Sequence, residues 1–307
     1  MTNQSKSYSC DVETGICDTI VENQIEEIQI PHRKKVTLLY YTDPICSACW
    51  AIEPALKKFK LEYGDFVQID YKMGGLLPGW EGFADKANGI SKPSDVAHHW
   101  DEVGQNSGMS IDGTVWIEDP LSSSYPPSIA VKAMQKQSSE LALRFLRRIR
   151  EMVFLEKKNI TKEIYLLDAV NDCGGDSTQF LKDFHDSATI QSFYTEIQDG
   201  RNLGVRGFPT FIFVDETGNG LKISGMSSYE NYITALEKVY GQPVEPKKIE
   251  LDELELLRKY KYLATTEIAF VLSQSGSETE NHLDALVTKG LIRKVPQKYG
   301  NFWKIVN

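Results

Sequence analysis

The spacing of apolar positions changes several times along the chain, and each change predicts an element. In "RKKVTLLYYTD", Val36, Leu38 and Tyr40 alternate with Thr37, Leu39 and Tyr41. All are β-formers, and apolar character on both phases predicts a strand buried on both faces. From Cys46 to about Tyr63 the spacing lengthens to three and four, through Leu56, Phe59 and Tyr63, which predicts a helix. "FVQIDYKMGG" (66–75) returns to a strand and closes on a glycine pair. The Gly- and Pro-rich stretch 74–93 reads as a loop. Helical spacing then dominates residues 94–200, with helices expected at Ser128–Gln137, at Glu140–Leu155, at 161–174 behind a capping Thr161, and twice within 176–204. β character resumes with a strand at Thr210–Val214, a turn at Glu216–Gly220 and a strand at Leu221–Ser224, before a last helix at Tyr229–Tyr240.

The flanks differ from this middle. Residues 1–31 are polar and acidic, with Asp11, Glu13, Asp18, Glu22, Glu26 and Glu27 against Lys6, and read as a flexible tail with a short strand at Ile25–Ile30. "QPVEPKK" (242–248) reads as a linker. Residues 249–307 read as helix, helix, turn, helix and a two-stranded hairpin, "LIRKV" and "FWKIV". Thr265-Thr266 are expected before the second of these helices, and Ser275 or Ser277 as the cap of the third. This order resembles a winged helix. Its would-be recognition helix carries Glu278, Glu280 and Asp284 near the start, where phosphates and base edges would lie, which favours protein interaction or domain packing over DNA binding. Arg293, Lys294, Lys298 and Lys304 form the basic cluster of the hairpin. The expected organisation is therefore a tail at 1–31, an α/β domain at 32–242 with a helical insertion at about 94–204, and a small C-terminal domain at 243–307.

A net charge of −9 over 307 residues argues against general affinity for nucleic acid or an anionic membrane. No stretch approaches the length of a membrane span, and Met1–Asp11 lacks the layout of a secretory signal, so a cytoplasmic protein is expected. Five cysteines, Cys10, Cys17, Cys46, Cys49 and Cys173, are too few for a disulfide scaffold.

The chemistry concentrates in "YYTDPICSACWAIEP" (40–54), where Cys46 and Cys49 stand at a predicted strand-to-helix junction. Three readings are open: a redox centre, half of a zinc site, or two core cysteines. Zinc needs four ligands, and the chain offers no second pair at metal spacing. A thiol over a helix N-terminus meets unpaired N–H groups and the positive end of the dipole, which lowers its pKa toward roughly 3.5–7.5. Cys46 is then the nucleophile, and Cys49, one turn on, resolves the mixed disulfide. Asp43-Pro44 ends the strand, and Trp50 packs beside the centre. No cofactor or metal is expected. Pro209 in "GVRGFPTFIFV" admits two readings, a cis proline exposing the backbone of Phe208 to an extended peptide, or an ordinary proline at a strand start. His98 and His99 are adjacent on a helix and diverge, which favours surface or partial burial over a metal site. Cys173 reads as a helix-end packing residue, and Cys10 and Cys17 as spare thiols.

A C-x-x-C at a strand–helix junction, a helical insertion, then "GFPT" before a hairpin resembles the thioredoxin fold in its DsbA-type variant. "YTDPICSACW", "KMGGLLPGW", "HHWDEVGQNSGM" and "GVRGFPTF" are similar to the cytosolic FrnE-like branch. "TDPICSACWAIEPALKKFKLEYG", "MSIDGTVWIEDPLSS" and "KKNITKEIYLLDAV" resemble the YjbH (SpxH) adaptors, DsbA-like proteins that deliver the regulator Spx to the ClpXP protease. The resemblance covers about 34–242 and, more weakly, the C-terminal unit, and it implies Cys46 as nucleophile, Cys49 as resolving thiol and Pro209 as the cis-proline beside Phe208. The intervening Ser47-Ala48 is neither Pro-His nor Gly-Pro, so no imidazole from the dipeptide supports the thiolate. The expected function is a cytosolic thiol–disulfide oxidoreductase, working in the reductase or isomerase direction on protein or peptide clients. The alternative is an adaptor presenting a client to a protease such as ClpXP, with the dithiol as redox sensor or relic.

Overall fold

The computed structural model describes residues 7–10, 17–20, 35–86 and 88–306. It falls into two compact units, residues 1–34 and 35–307. In the first, β1 (Ser7–Cys10) pairs antiparallel with β2 (Cys17–Ile20), with Cys10 opposite Cys17. The sequence pattern gives no sign of this hairpin, and the strand expected at Ile25–Ile30 lies outside the described residues.

The second unit is built on a sheet whose strands are β3 (Val36–Thr42), β4 (Val67–Met73), β5 (Thr210–Val214) and β6 (Gly220–Ser224). Their order is β4-β3-β5-β6; β3 and β4 run parallel, and the other neighbours are antiparallel. Between β3 and β4 run α1 (Ser47–Ala51) and α2 (Glu53–Tyr63). The periodicity predicts a single helix here. Pro54 has no N–H for the carbonyl four residues back, at Trp50, so the helix breaks at Ile52 and restarts.

An insertion of seven helices comes next: α3 (Pro93–Ser107), α4 (Val115–Glu118), α5 (Tyr125–Gln137), α6 (Ser139–Phe154), α7 (Glu163–Asp172), α8 (Ser177–Phe184) and α9 (Ser187–Asn202). Ser138 caps α6 through the N–H of Leu141. Thr161 does not cap α7: Lys162 is the cap residue, and the Thr161 hydroxyl is turned to Asn159 Oδ1 at 2.5 Å. The polar side chain nearest the helix start has a better local partner than the helix. α10 (Tyr229–Tyr240) closes the α/β part.

Strand β3 is buried along one face, but on the other, against the expectation of burial on both, Thr37 is exposed, Leu39 half-buried and only Tyr41 fully covered. Val36, Leu38 and Tyr40 pack with Phe211, Phe213, Phe59 and Leu236 between the sheet and helices α2 and α10. On the other face Tyr41 packs with Val205 and Ile212, where a side chain on Gly200 of α9 would meet the Tyr41 ring. The largest core lies within the helical insertion and reaches Trp50 on α1.

Residues 243–307 contain α11 (Glu253–Tyr260), β7 (Tyr262–Ala264), α12 (Thr265–Leu272), α13 (Gly276–Thr288), β8 (Ile292–Pro296) and β9 (Asn301–Ile305), with strand order β7-β9-β8. Ser275 caps α13, as expected, but Thr265 is the first residue of α12 and Ala264 its cap, its N–H donated to Glu267 Oε2 at 2.9 Å. These elements have a small core of their own around Leu256, Leu263, Ile268 and Trp303. They are also joined to the rest. Ala264 and Phe302 belong to the large core, and Phe302 stacks on Trp50 with centroids 6.3 Å apart and planes 3° from parallel. The segment 242–248 is strapped down rather than free, with Val244 buried and the Lys247 N–H bonded to Glu62 O at 2.8 Å. Gly108, which ends α3 at φ 68°, lies where a side chain would strike Thr266, so the approach of α12 itself demands glycine there.

Candidate functional site

Strand β3 ends at Thr42, and three hydrogen bonds to one carboxylate shape the turn into α1. Asp43 Oδ1 accepts the Ile45 N–H at 3.0 Å, and Oδ2 accepts the Leu76 N–H and the Ser124 hydroxyl, both at 2.8 Å. That turn sets Cys46 as the N-cap of α1, where its Sγ accepts the Cys49 N–H at 3.2 Å. The strand-to-helix junction predicted from the sequence is therefore present, with both thiols free and buried; Cys46 is 5% exposed and Cys49 fully covered. Trp50 closes the inner side of the helix, with Nε1 donated to Ser110 O at 3.1 Å.

Beneath the pair lies a residue absent from the sequence-based expectations. Arg150 of α6 is 1% exposed. Its Nη2 donates to Thr42 Oγ1 at 2.5 Å and to Asp43 O at 3.3 Å, and its Nη1 donates to Glu53 Oε1 at 2.7 Å. A signal for it does exist: position 150 falls one turn from Leu146 and Val153 on the apolar face of α6, where an arginine is out of place unless something holds it.

The electrostatics differ from the expectation of a low-pKa Cys46. Burial pushes its thiol well up, and its hydrogen bond with Cys49 adds to that, outweighing the backbone N–H at the cap. Burial also acts upward on Cys49, but the hydrogen bond from Cys46 and the charge of Arg150 outweigh it and draw Cys49 down. The two titrate as a pair, with the charge on the side that faces the guanidinium.

Asp43 carries a second perturbation. Burial pushes its carboxyl up to about 6, against the pull of the Leu76 and Ile45 N–H groups, the Ser124 hydroxyl and Arg150. A folded-state value above the ordinary ~3.9 means that stability is present below that pH and is lost as pH rises through about 6. The expected result is a gain of roughly 1–1.5 kcal/mol in unfolding free energy from this group between pH 7 and pH 5. Denaturant titrations at the two pH values should show the gain, and Asp43→Asn should remove it. An equal pH dependence in the variant would refute the assignment.

His99 of α3 supplies an imidazole that the dipeptide lacks. Its Nε2 lies 3.5 Å from Ser47 Oγ, while His98 points to solvent at 82% side-chain exposure. Surface or partial burial is the sequence expectation for this pair of histidines; the contact with Ser47 is not, because it depends on how the insertion folds back over α1. The Phe208-Pro209 peptide bond is cis. Register places it beside the dithiol strand: Tyr41 pairs with Thr210, so Pro209 comes next along the end of β3 that leads to Cys46. Phe208 is half-buried and lies so close to Gly74 that a side chain on Gly74 would overlap its ring. The structure thus brings Cys46, Cys49 and the Phe208-Pro209 loop to one end of the sheet. Cys173 stands apart as the C-cap of α7, its thiol pushed up by burial to about 11. The side chains of Cys10 and Cys17 lie outside the described residues.

A family model described as thioredoxin matches residues 39–234. Over its full length the chain is similar to proteins named ClpXP adapter protein SpxH. The one from Halalkalibacterium halodurans is 34% identical over 307 residues, covering 99% of both chains. The one from Bacillus subtilis is 34% identical over 279 residues, covering 89% of this chain and 90% of the relative. Among solved structures, a chain from Nitrosomonas europaea described as a protein disulfide isomerase aligns with a TM-score of 0.57 at 20% identity. It covers 68% of this chain and 97% of its own. A DsbA-type oxidoreductase from Streptomyces coelicolor aligns with a TM-score of 0.55 at 15% identity, covering 71% of this chain and 94% of its own. The fold is that of DsbA-type thioredoxins.

Proposed function

The chain belongs to the thioredoxin family and, along its whole length, to the family of ClpXP adapter proteins named SpxH, and from that membership we propose that it presents a protein client to the ClpXP protease. The observation that carries the reading is the extent of the match: the alignment, 34% identical overall, covers 99% of the chain and so takes in residues 243–307 with the dithiol domain. Those C-terminal residues are built into the same core as Trp50 and lie in the same compact unit as the dithiol. We read them as a winged-helix-like unit that recognises protein. Half of its basic cluster is committed: Lys298 bonds Asp101 at 2.8 Å and Lys294 bonds Asp284 at 3.2 Å. Carboxylates beside the would-be recognition helix add repulsion toward DNA. The partners we infer are proteins, neither nucleic acid nor membrane, and the setting is the cytoplasm; among the described residues no helix is long and apolar enough to cross a membrane.

Within this reading the dithiol exchanges with a client disulfide. Cys46 Sγ attacks one client sulfur, a mixed disulfide forms and the other client sulfur leaves as thiolate. Cys49 Sγ then attacks Cys46 Sγ, and the second client thiolate departs. Two electrons pass to the client, and a cytosolic dithiol must reduce Cys46–Cys49 again. Phe208 and Pro209 border the path of an extended client segment. Oxidoreductase action is the second reading, and the intact geometry of Cys46 at the N-cap favours it.

The test is degradation of an Spx-type regulator by purified ClpXP with and without this protein. At least about a tenfold acceleration is expected, an order typical of productive presentation by raised local concentration. Cys46→Ser and Cys49→Ser variants report whether exchange takes part. Unchanged degradation together with turnover of a model protein disulfide would replace the adaptor by the oxidoreductase.

A further inference from the structure

A cleft of about 1080 Å³ runs between helices α2 and α6 on one side and the strands and α11 of the C-terminal unit on the other. Ten of its lining side chains are Lys or Arg and five are Asp or Glu, in a protein whose net charge is −9. Four of the cations are spoken for: Lys57 and Arg147 by Glu267, Arg148 by Glu156 and Arg150 by Glu53. Lys60, Arg144, Lys259, Lys261, Arg293 and Lys304 line the same cleft with no carboxylate at ion-pair distance among the described residues. Two further observations bear on the cleft. Desolvation along the cleft draws the Lys60 ammonium below its ordinary range; Glu53 opposes this, and Lys57 and Lys259 add to it. At the floor, the Nε of Arg150 is buried without an acceptor. A buried donor of that kind is costly unless something accepts it.

We propose that this cleft is the docking groove for an acidic, partly apolar segment of a protein client. Charge complementarity sets the sign. Apolar walls from Leu56, Leu61, Leu143 and Val295, with the rings of Tyr71 and Tyr260 between the lysines, suit a peptide better than a bare polyanion. The interspersed carboxylates, Glu140 and Asp172 among them, disfavour phosphate chains and nucleic acid, which present uniform negative charge. The volume also exceeds the span of about 300–1,000 Å³ usual for small-molecule sites. The groove gives the client of the adaptor reading a place and rests on that reading; the binding test below involves no protease, so either can fail alone.

The probe is a fluorescein-labelled peptide alternating Glu-Asp pairs with single Leu residues, followed by anisotropy on the full chain. Its counterpart carries Lys in place of each acid. Saturable binding of the acidic peptide is expected, weakened about tenfold or more by Arg144→Glu or Lys259→Glu and by raised salt. Both residues are exposed, so neither reversal threatens the fold. Lys182→Glu on α8, outside the cleft, should leave binding within about twofold. Absence of saturable binding overturns the proposal, as does binding that both cleft reversals leave unchanged. Tighter binding of inorganic polyphosphate or a single-stranded oligonucleotide than of the peptide also overturns it.

Discussion

Removing residues 244–307 is expected to cost the dithiol domain much of its stability instead of releasing it as a working module. The sequence alone suggests the opposite, because the prolines of 242–248 read as a linker and the C-terminal unit as separate. The structure gives three reasons for the reversal. Arg147 lies over the Trp50 ring at 4.3 Å and grips Glu267 of α12 with both Nη atoms, at 2.9 and 3.0 Å. Glu267 is fully buried. Phe302 covers the outer face of Trp50, one residue after Cys49. Losing the partner of a buried ion pair costs roughly 3–5 kcal/mol, and uncovering a buried aromatic contact roughly 1.5–3 more. The sum is comparable to the 5–15 kcal/mol that holds a typical domain together.

Because the deletion also exposes apolar surface, the sharper variants are Arg147→Met, Glu267→Gln and the double. Each single change is expected to lower unfolding free energy by about 3 kcal/mol, and the double by clearly less than their sum. Denaturant titration measures all three. Additive losses, or a deletion variant that unfolds at the same midpoint as the full chain, would show that the two parts are independent. The pH sign comes from Glu267. Burial acts to raise its carboxyl, but Arg147 and Lys57 outweigh that and hold it below the ordinary range. Its contribution is present above about pH 4.3 and is lost as pH falls through the lower folded value.

How much of this is legible in the sequence depends on distance along the chain. The β3 strand, the dithiol junction and the β5–β6 hairpin each announce themselves within a dozen or so residues, through period and through the C-x-x-C at a change of period. Most helices of the insertion emerge from their apolar spacing; at helix starts, Thr161 and, in the C-terminal unit, Ala264 show that the local hydrogen-bond choice is not written in residue type alone. Contacts between distant segments are the part that local pattern does not carry. Arg150 reaches Thr42 across 108 positions, His99 reaches Ser47 across 52, and Arg147 reaches Glu267 across 120. Each pair depends on how the insertion packs over α1, and no local pattern encodes that. The same distance explains the thiols. A helix N-terminus predicts a lowered Cys46, but burial by the insertion and a cation placed under Cys49 decide the outcome.

Arg150→Met should move the dithiol furthest of any single change outside the cysteines. The guanidinium is fully buried, lowers Cys49, and has few charges to share it with, since Glu53 is its one ion-pair partner among the described residues. Without it, the negative charge of the reduced pair keeps the hydrogen bond between the thiols but loses its buried counter-charge, and burial weighs more heavily. The first deprotonation of the pair is expected to rise by at least about one pH unit, read from thiolate absorbance or from alkylation rate against pH. A weaker thiolate also destabilises the reduced form relative to the disulfide. The reduction potential should therefore fall, by about 30 mV for each unit of pKa change in a two-electron couple. Equilibration against a dithiol buffer, followed by Trp50 fluorescence, measures it. Arg150→Lys should not restore the native value, because one ammonium cannot serve Thr42 Oγ1, Asp43 O and Glu53 in the planar arrangement that the fork occupies. Glu53→Gln separates the charge effect from loss of packing: it keeps the guanidinium and removes its competitor, so the pair should titrate lower and the potential should rise. A potential that falls in both variants, or that moves in neither, would mean that Arg150 holds the turn at Thr42 and Asp43 without tuning the thiols.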